Sequence, residues 1–159
     1  MGGCYWSYFV RYEEDVEAAM QKLRSEIFRT GKYTRSRDVF SQEEIDDDSE
    51  LALEIMQLEE PETIEELLEQ EEESGTNSII DITHVSQIRE FCVASPMPTK
   101  SLRDLFGTDI PTHEMVETKR YLDLAAHPLT CEKWMGVYFI VYRDGRPDEI
   151  FFAGVSGDH

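Results

Sequence analysis

Several places in this sequence carry residue types that could do chemistry. The first is His113-Glu114-Met115-Val116-Glu117. A zinc-protease helix needs histidines at i and i+4, so that two imidazoles face one metal. Here the i+4 residue is Glu117 and no third ligand sits nearby, so the segment reads as the polar face of an ordinary helix. The second is Asp46-Asp47-Asp48. A calcium loop alternates its ligands and needs a glycine at position six and a glutamate at position twelve. Neither follows here, which leaves diffuse cation attraction and no dedicated site. The third pairs His84 with Cys92 across an expected turn. An imidazole can activate a thiol, but no nucleophile signature surrounds Cys92, and cysteine is among the most buried residue types. Gly154-Val155-Ser156-Gly157 lacks the lysine and the following helix of a phosphate loop. His127 and His159 read as helix end and tail. No catalytic residue, cofactor or metal is expected.

The 159 residues suit one domain, large enough to bury about 70% of its unfolded surface. A hydrophobic fraction of 40% supports a core and excludes global disorder. No apolar run is long enough to span a membrane; the longest, Gly136–Tyr142, is strand-sized. Met1-Gly2-Gly3-Cys4 lacks the basic and apolar regions of a secretory signal. A myristoylation signal needs Ser or Thr where Trp6 stands. Cys4, Cys92 and Cys131 are odd in number and scattered, so they suggest neither a disulfide framework nor a zinc site. The cytoplasm is the expected compartment.

The elements follow from period and punctuation. Tyr5–Tyr12 reads as a strand of aromatic and β-branched residues. Its Trp6, Tyr8 and Tyr12 share one face, which suits either the core or an aromatic anchor at an interface. Val16, Met20, Leu23 and Ile27 recur at helical spacing behind Glu13-Glu14-Asp15, and Gly31 ends that helix. Thr34–Gln42 reads as loop. Ser49 could cap a helix carrying Leu51, Ile55 and Leu58, stopped by Pro61. Thr63-Ile64-Glu65-Glu66 fits a capping box that opens a second short helix. Glu71–Asn77 reads as a flexible connection. Ser78–Ile82 and Phe91–Ala94 read as short strands. Ser101–Phe106 is helical and stops at Gly107. Pro111-Thr112 opens a helix with Met115, Leu122 and Ala126 on one face, ended by Pro128. Gly136–Tyr142 and Glu149–Val155 flank Asp144-Gly145, the signal for a tight hairpin. Both faces of the first of these strands are apolar, as a central strand requires. The fold class is α+β: one domain over 1–159, with a mixed or antiparallel sheet of four to five strands, packed helices and a C-terminal β-hairpin. An acidic helical insertion occupies about 39–77.

That insertion dominates the charge. From Ser41 to Glu73 there are sixteen acids and no Lys or Arg, out of a net charge of −19. The preceding Arg11–Arg37 holds seven bases and five acids. Such asymmetry points to intramolecular pairing or to a directional field. It opposes nucleic-acid binding, which needs cations at phosphates and basic residues interleaved with aromatics.

The opening MGG-x-YWSYFV-x-Y and the closing VYRDGRP-x-EIFFAGVSGD resemble a family of short stand-alone bacterial proteins of no established activity. Ser78–Ile82, Val85-Ser86, Leu105-Phe106-Gly107-Thr108 and Pro111-Thr112 fit the same resemblance, which spares roughly Val39–Glu73. More loosely, size, charge and compartment resemble immunity proteins, which neutralise secreted bacterial toxins. Three readings follow. The first is a binding protein, not an enzyme, that neutralises a basic partner such as a cognate toxin domain acting on nucleic acid or a nucleotide cofactor. Its contact residues are Glu43, Glu44, Asp46, Asp47, Asp48, Glu50, Glu54, Glu59, Glu62, Glu65, Glu66 and Glu69, with no direct contact to nucleic acid or membrane. The second is an enzyme whose site is assembled by folding around His84, Cys92 or His113. The third is an adaptor whose acids serve solubility. Oligomeric state is left open.

Overall fold

The computed structural model describes residues 4–35 and 60–156. Strand β1 (Cys4–Arg11) leads into helix α1 (Val16–Thr30). Asp15 caps α1 by accepting from the Ala18 amide, and Gly31 closes it at φ 70°. Both boundaries lie where the acids and the glycine place them. Helix α2 (Ile64–Gln70) is followed by a 3-10 turn (Ile79–Asp81), strand β2 (His84–Val85) and strand β3 (Val93–Pro96). Helices α3 (Thr99–Phe106), α4 (His113–Lys119) and α5 (Pro128–Cys131) come next. Strands β4 (Met135–Arg143) and β5 (Arg146–Ser156) finish the chain.

The strands form one mixed sheet in the order β1-β5-β4-β3-β2. β5 runs antiparallel to both β1 and β4, while β4, β3 and β2 are mutually parallel neighbours. The hairpin joining β4 to β5 turns through Asp144 at φ 52° and Gly145 at φ 76°. Two successive positive φ values are the geometry that an Asp-Gly turn supplies. β4 lies in the middle of the order, as its two apolar faces require.

Each face of the sheet carries its own core. On one face Trp6, Tyr138, Ile150 and Phe152 pack with Met20 and Ile27 of α1, Leu67 of α2, and Ile79, Ile80 and Ile82. On the other, Val137, Phe139, Val141, Phe151 and Ala153 pack with Leu102 of α3, Val116 of α4 and Leu124. Alternation along β5 sends Ile150 and Phe152 one way and Phe151 and Ala153 the other. Arg120, just past α4, ties the second layer to β1. Its guanidinium lies 5.1 Å from the Phe9 ring and donates to the Ser7 hydroxyl and carbonyl oxygens at 2.7 and 2.8 Å.

Four expectations need correction. Ser78–Ile82 is no strand: the Ser78 hydroxyl accepts from the Ile80 amide at 3.2 Å and folds the segment into a 3-10 turn. A short buried apolar run has the same composition in either form. β3 begins at Val93, because Cys92 turns left-handed at φ 62° and leaves Phe91 exposed. α4 buries Val116 and exposes Met115, and Leu122 beyond it is exposed too, since the helix ends at Lys119 and the helical period stops with it. Glu71–Asn77 is anchored, not free. Glu71, Gly75 and Thr76 are buried, and the Thr76 carbonyl accepts from the Thr34 amide at 2.8 Å. The helix expected to begin at Ser49 lies outside the described residues, as does most of the 39–77 insertion.

Two glycines separate conformational from steric constraint. Gly145 has positive φ but open space around a would-be Cβ, so Gly145→Val should cost roughly 1–2 kcal/mol. Gly154 has ordinary φ, yet an added Cβ would sit 2.6 Å from Trp6 and 2.7 Å from the Met135 carbonyl oxygen. Neither can yield easily, so Gly154→Ala should cost ~3 kcal/mol or more. Urea midpoints measure both; a larger loss at Gly145 would contradict this packing.

Candidate functional site

The described part of the acidic segment is organised around two opposite requirements. α2 has seven residues, too few to hold a helix in water alone. Docking stabilises it: Leu67 is fully buried, with Ile64 and Leu68 packed beside it. Burial of Leu67 alone contributes roughly 2–3 kcal/mol. The expected cap is present, with the Thr63 hydroxyl accepting from the Glu66 amide at 3.1 Å. The Glu66 carboxylate reaches back one residue further than a standard capping box and accepts from the Glu62 amide at 2.9 Å. With the leucines turned inward, Glu62, Glu65, Glu66 and Glu69 face solvent, and Glu72 and Glu73 continue the exposed row.

Arg35 fixes this layer from below. It is 3% exposed, donates to Glu60 at 2.9 Å and to Gln70 at 2.7 Å, and lies 3.8 Å from the buried Glu71 carboxylate. A buried guanidinium needs such partners. The acids therefore divide. Glu60 and Glu71 pair inward with Arg35. Glu62, Glu65, Glu66, Glu69, Glu72 and Glu73 make no ion pair among the described residues. Beyond that the neutralisation is weak: Arg29 pairs with Glu26 of its own helix, and Arg24, which feels the Glu65 charge without an ion pair to it, donates to Gln21 and to the Ile80 carbonyl. Glu43, Glu44, Asp46, Asp47, Asp48, Glu50, Glu54 and Glu59 lie outside the described residues.

Beside α2 opens a cavity of about 350 Å³, walled by Leu68, Phe91 and Trp134 and bordered by Glu72, Asp81 and Cys92. Two wall residues, Cys92 and Trp134, hold left-handed backbone at φ 62° and 67°. Each such non-glycine residue costs about 1–3 kcal/mol, and such strain concentrates at functional sites. The two are coupled: the Cys92 amide donates to the Trp134 carbonyl at 2.6 Å, and the Trp134 amide to the Val155 carbonyl at 2.8 Å. The Trp134 ring presses on Gly75, where a Cβ would lie 2.7 Å away.

The floor is a buried polar cluster. Asp81 accepts from the Thr76 amide at 2.9 and 3.0 Å and from the Thr76 hydroxyl at 3.0 Å, and it is bonded to the Ser156 side chain. Ser156 in turn accepts from the Trp6 indole at 2.8 Å. Trp6 is thus a core residue, the first of the two roles its position allowed. Composition gave one clue to this cluster: a lone carboxylate among isoleucines, with Thr76 and Ser78 close by. Nothing local pointed to Phe91 or Trp134.

The catalytic candidates fare differently. Burial, with the nearby Asp81 charge, pushes the Cys92 thiol above its ordinary pKa, the wrong direction for a thiolate nucleophile. The His84 ring bonds to the Thr83 hydroxyl at 2.9 Å, and no hydrogen bond joins it to Cys92 among the described residues. His113 is paired through Nδ1 with Glu149, at 2.7 Å, not with Glu117. Its ring sits 4.1 Å from that of Phe9, at the mouth of a cleft of about 590 Å³ by the hairpin. Thr112, in the same cleft, caps α4 with its hydroxyl. No group of three or more His, Cys, Asp or Glu side chains is placed to hold a metal among the described residues. No described helix is long and apolar enough to cross a membrane. Gly154 and Ser156 serve Trp6 and Asp81. Compared with known proteins, the chain matches no family model, no characterised protein and no solved structure.

Asp81 makes the cluster sensitive to pH. Burial outweighs its hydrogen bonds to Ser156, Thr76 and Ser78 and raises its carboxyl above the ordinary 3.8. The native state then holds this proton more tightly than the unfolded chain does. Asp81 therefore subtracts stability as pH rises from 3.8 through the native value. Asp81→Asn should flatten that fall. Urea midpoints between about pH 4 and pH 7 provide the test, and parallel curves for the two proteins would refute it.

Proposed function

We propose that this chain is a binding protein that captures a basic protein partner on its acidic face, as an immunity protein against a toxin domain that acts on nucleic acid or a nucleotide cofactor. One observation carries the reading. α2 is fixed by its leucines, with Arg35 beneath, so that Glu62, Glu65, Glu66 and Glu69 are presented together, exposed and without an ion pair among the described residues. A row of carboxylates held in place repeats the charge of a phosphate backbone. A protein built to hold phosphates has a basic cleft to match. Glu43, Glu44, Asp46, Asp47, Asp48, Glu50, Glu54 and Glu59 add to the same field through sequence alone. The expected gain is in association rate, since a complementary field steers partners before contact. The same charge repels nucleic acid and anionic membrane surfaces.

A second reading, an enzyme assembled from distant segments, has one observation in its favour: His113 oriented by Glu149 beside the larger cleft. Among the described residues of that cleft it lacks a free companion nucleophile, because Thr112 is engaged as a helix cap.

The test is neutralisation without unfolding. Glutamine keeps the Glu66 side-chain acceptor, so Glu62→Gln, Glu65→Gln, Glu66→Gln and Glu69→Gln combined should leave the melting temperature unchanged. Association with a basic partner isolated from the native host should slow by roughly tenfold at low salt and by little at high salt, because screening shortens the field to ~10 Å at 0.1 M. A salt-independent, unaltered on-rate would remove the acidic face from the interface.

A further inference from the structure

We propose that the cavity between α2 and the Phe91–Trp134 wall receives one arginine side chain of the basic partner, stacked on the aromatic wall and ion-paired to Glu72. This rests on the reading that the partner is basic, and it adds the residue type that anchors it.

Size sets the first limit. About 350 Å³ is at the small end of ligand sites, which suits a single long side chain, not a folded element. The wall sets the second. Phe91 is 67% exposed and Ile88, on the same loop, is 64% exposed. A fold that buries Ile79, Ile80 and Ile82 completely or nearly so leaves this aromatic ring uncovered at a cavity mouth. Exposed apolar surface rimmed by charge marks an interaction site.

Charge sets the third. Of the carboxylates at the cavity, Asp81 is held by Thr76 and Ser156, and Glu71 lies against Arg35. Glu72 is exposed, and it makes no ion pair among the described residues. It is the carboxylate left for an occupant, with Glu65 and Glu69 of α2 adding to the field. The occupant therefore has an apolar or planar body and a positive end. Lysine meets the second condition, but its compact ammonium is strongly hydrated and stacks poorly. A guanidinium is weakly hydrated, lies flat on aromatic faces and grips a carboxylate with two parallel hydrogen bonds. The pocket is also preformed. Trp134 is braced on Gly75 and tied to Cys92 and Val155, so its position does not wait for the partner.

Hexaarginine and hexalysine, equal in charge, discriminate the pocket from the field when titrated into the full chain at low salt. Hexaarginine should bind roughly fivefold tighter. It should also shift the indole N–H resonance of Trp134, assigned through Trp134→Phe. Phe91→Ala and Glu72→Gln, both at exposed positions, should each bring hexaarginine down to the hexalysine level. Equal affinities with an unmoved Trp134 signal would overturn the pocket. The acidic face would stand if the four-glutamine variant still weakened both peptides alike. Failure of both peptides to bind at low salt would overturn the pocket and the basic-partner reading together.

Discussion

The hydrogen bonds converging on Asp81 join parts of the chain that no local element connects. Trp6 comes from the first strand, Ser156 from the end of the last, and Thr76 and Ser78 from the turn that follows α2. Each buried donor left without a partner would cost about 1–3 kcal/mol. Satisfying them together selects one arrangement of the segment. The 3-10 turn, with Ile79 and Ile80 turned into the core, is the conformation that allows it. That turn in turn fixes where α2 docks and where the cavity opens. The carboxylate thus contributes specificity more than net stability, in keeping with how costly its burial is.

Above this floor, charge and apolarity are assigned separately. The apolar side of α2 holds the helix down, and its acidic side is free to act as a field. Arg35 prevents the two from interfering: it takes Glu60 and the buried Glu71, and leaves the other carboxylates of this layer without an ion pair among the described residues. A surface without such a clamp would let its acids collapse onto the nearest guanidinium. Here the nearest guanidinium is already occupied.

The sequence revealed most where the physical cause is local. The caps of α1, the Thr63 box of α2, the Gly107 stop of α3 and the Asp144-Gly145 hairpin each depend on residues within a few positions of one another. The two-sided apolarity of β4 was readable because it is a property of one strand. Two of the failures turn on contacts between segments. Ser78–Ile82 has strand composition, and its turn, capped by Ser78, is held in place through Asp81 by Thr76 and the distant Ser156. The burial of Glu71 depends on Arg35. The α4 stripe went astray because the chain leaves the helix at Lys119, so Leu124 is buried and Leu122 is not. At the candidate site, the outward glutamates of α2 were legible as a helix face. The aromatic wall was not, since Phe91 and Trp134 are far apart in sequence and both lie outside regular elements.

Arg120 has a consequence beyond packing. β1 is the terminal strand of the sheet and is eight residues long, with no strand paired to its outer side among the described residues. Long uncovered sheet edges invite other chains to add a strand, and natural proteins obstruct them with charge. The Arg120 guanidinium sits near the middle of β1 and takes up the Ser7 carbonyl at 2.8 Å. An incoming strand would meet a bulky cation and an acceptor already engaged. The opposite terminal strand, β2, has two residues and offers little to pair with. The two ends of the sheet thereby discourage self-association through strand addition.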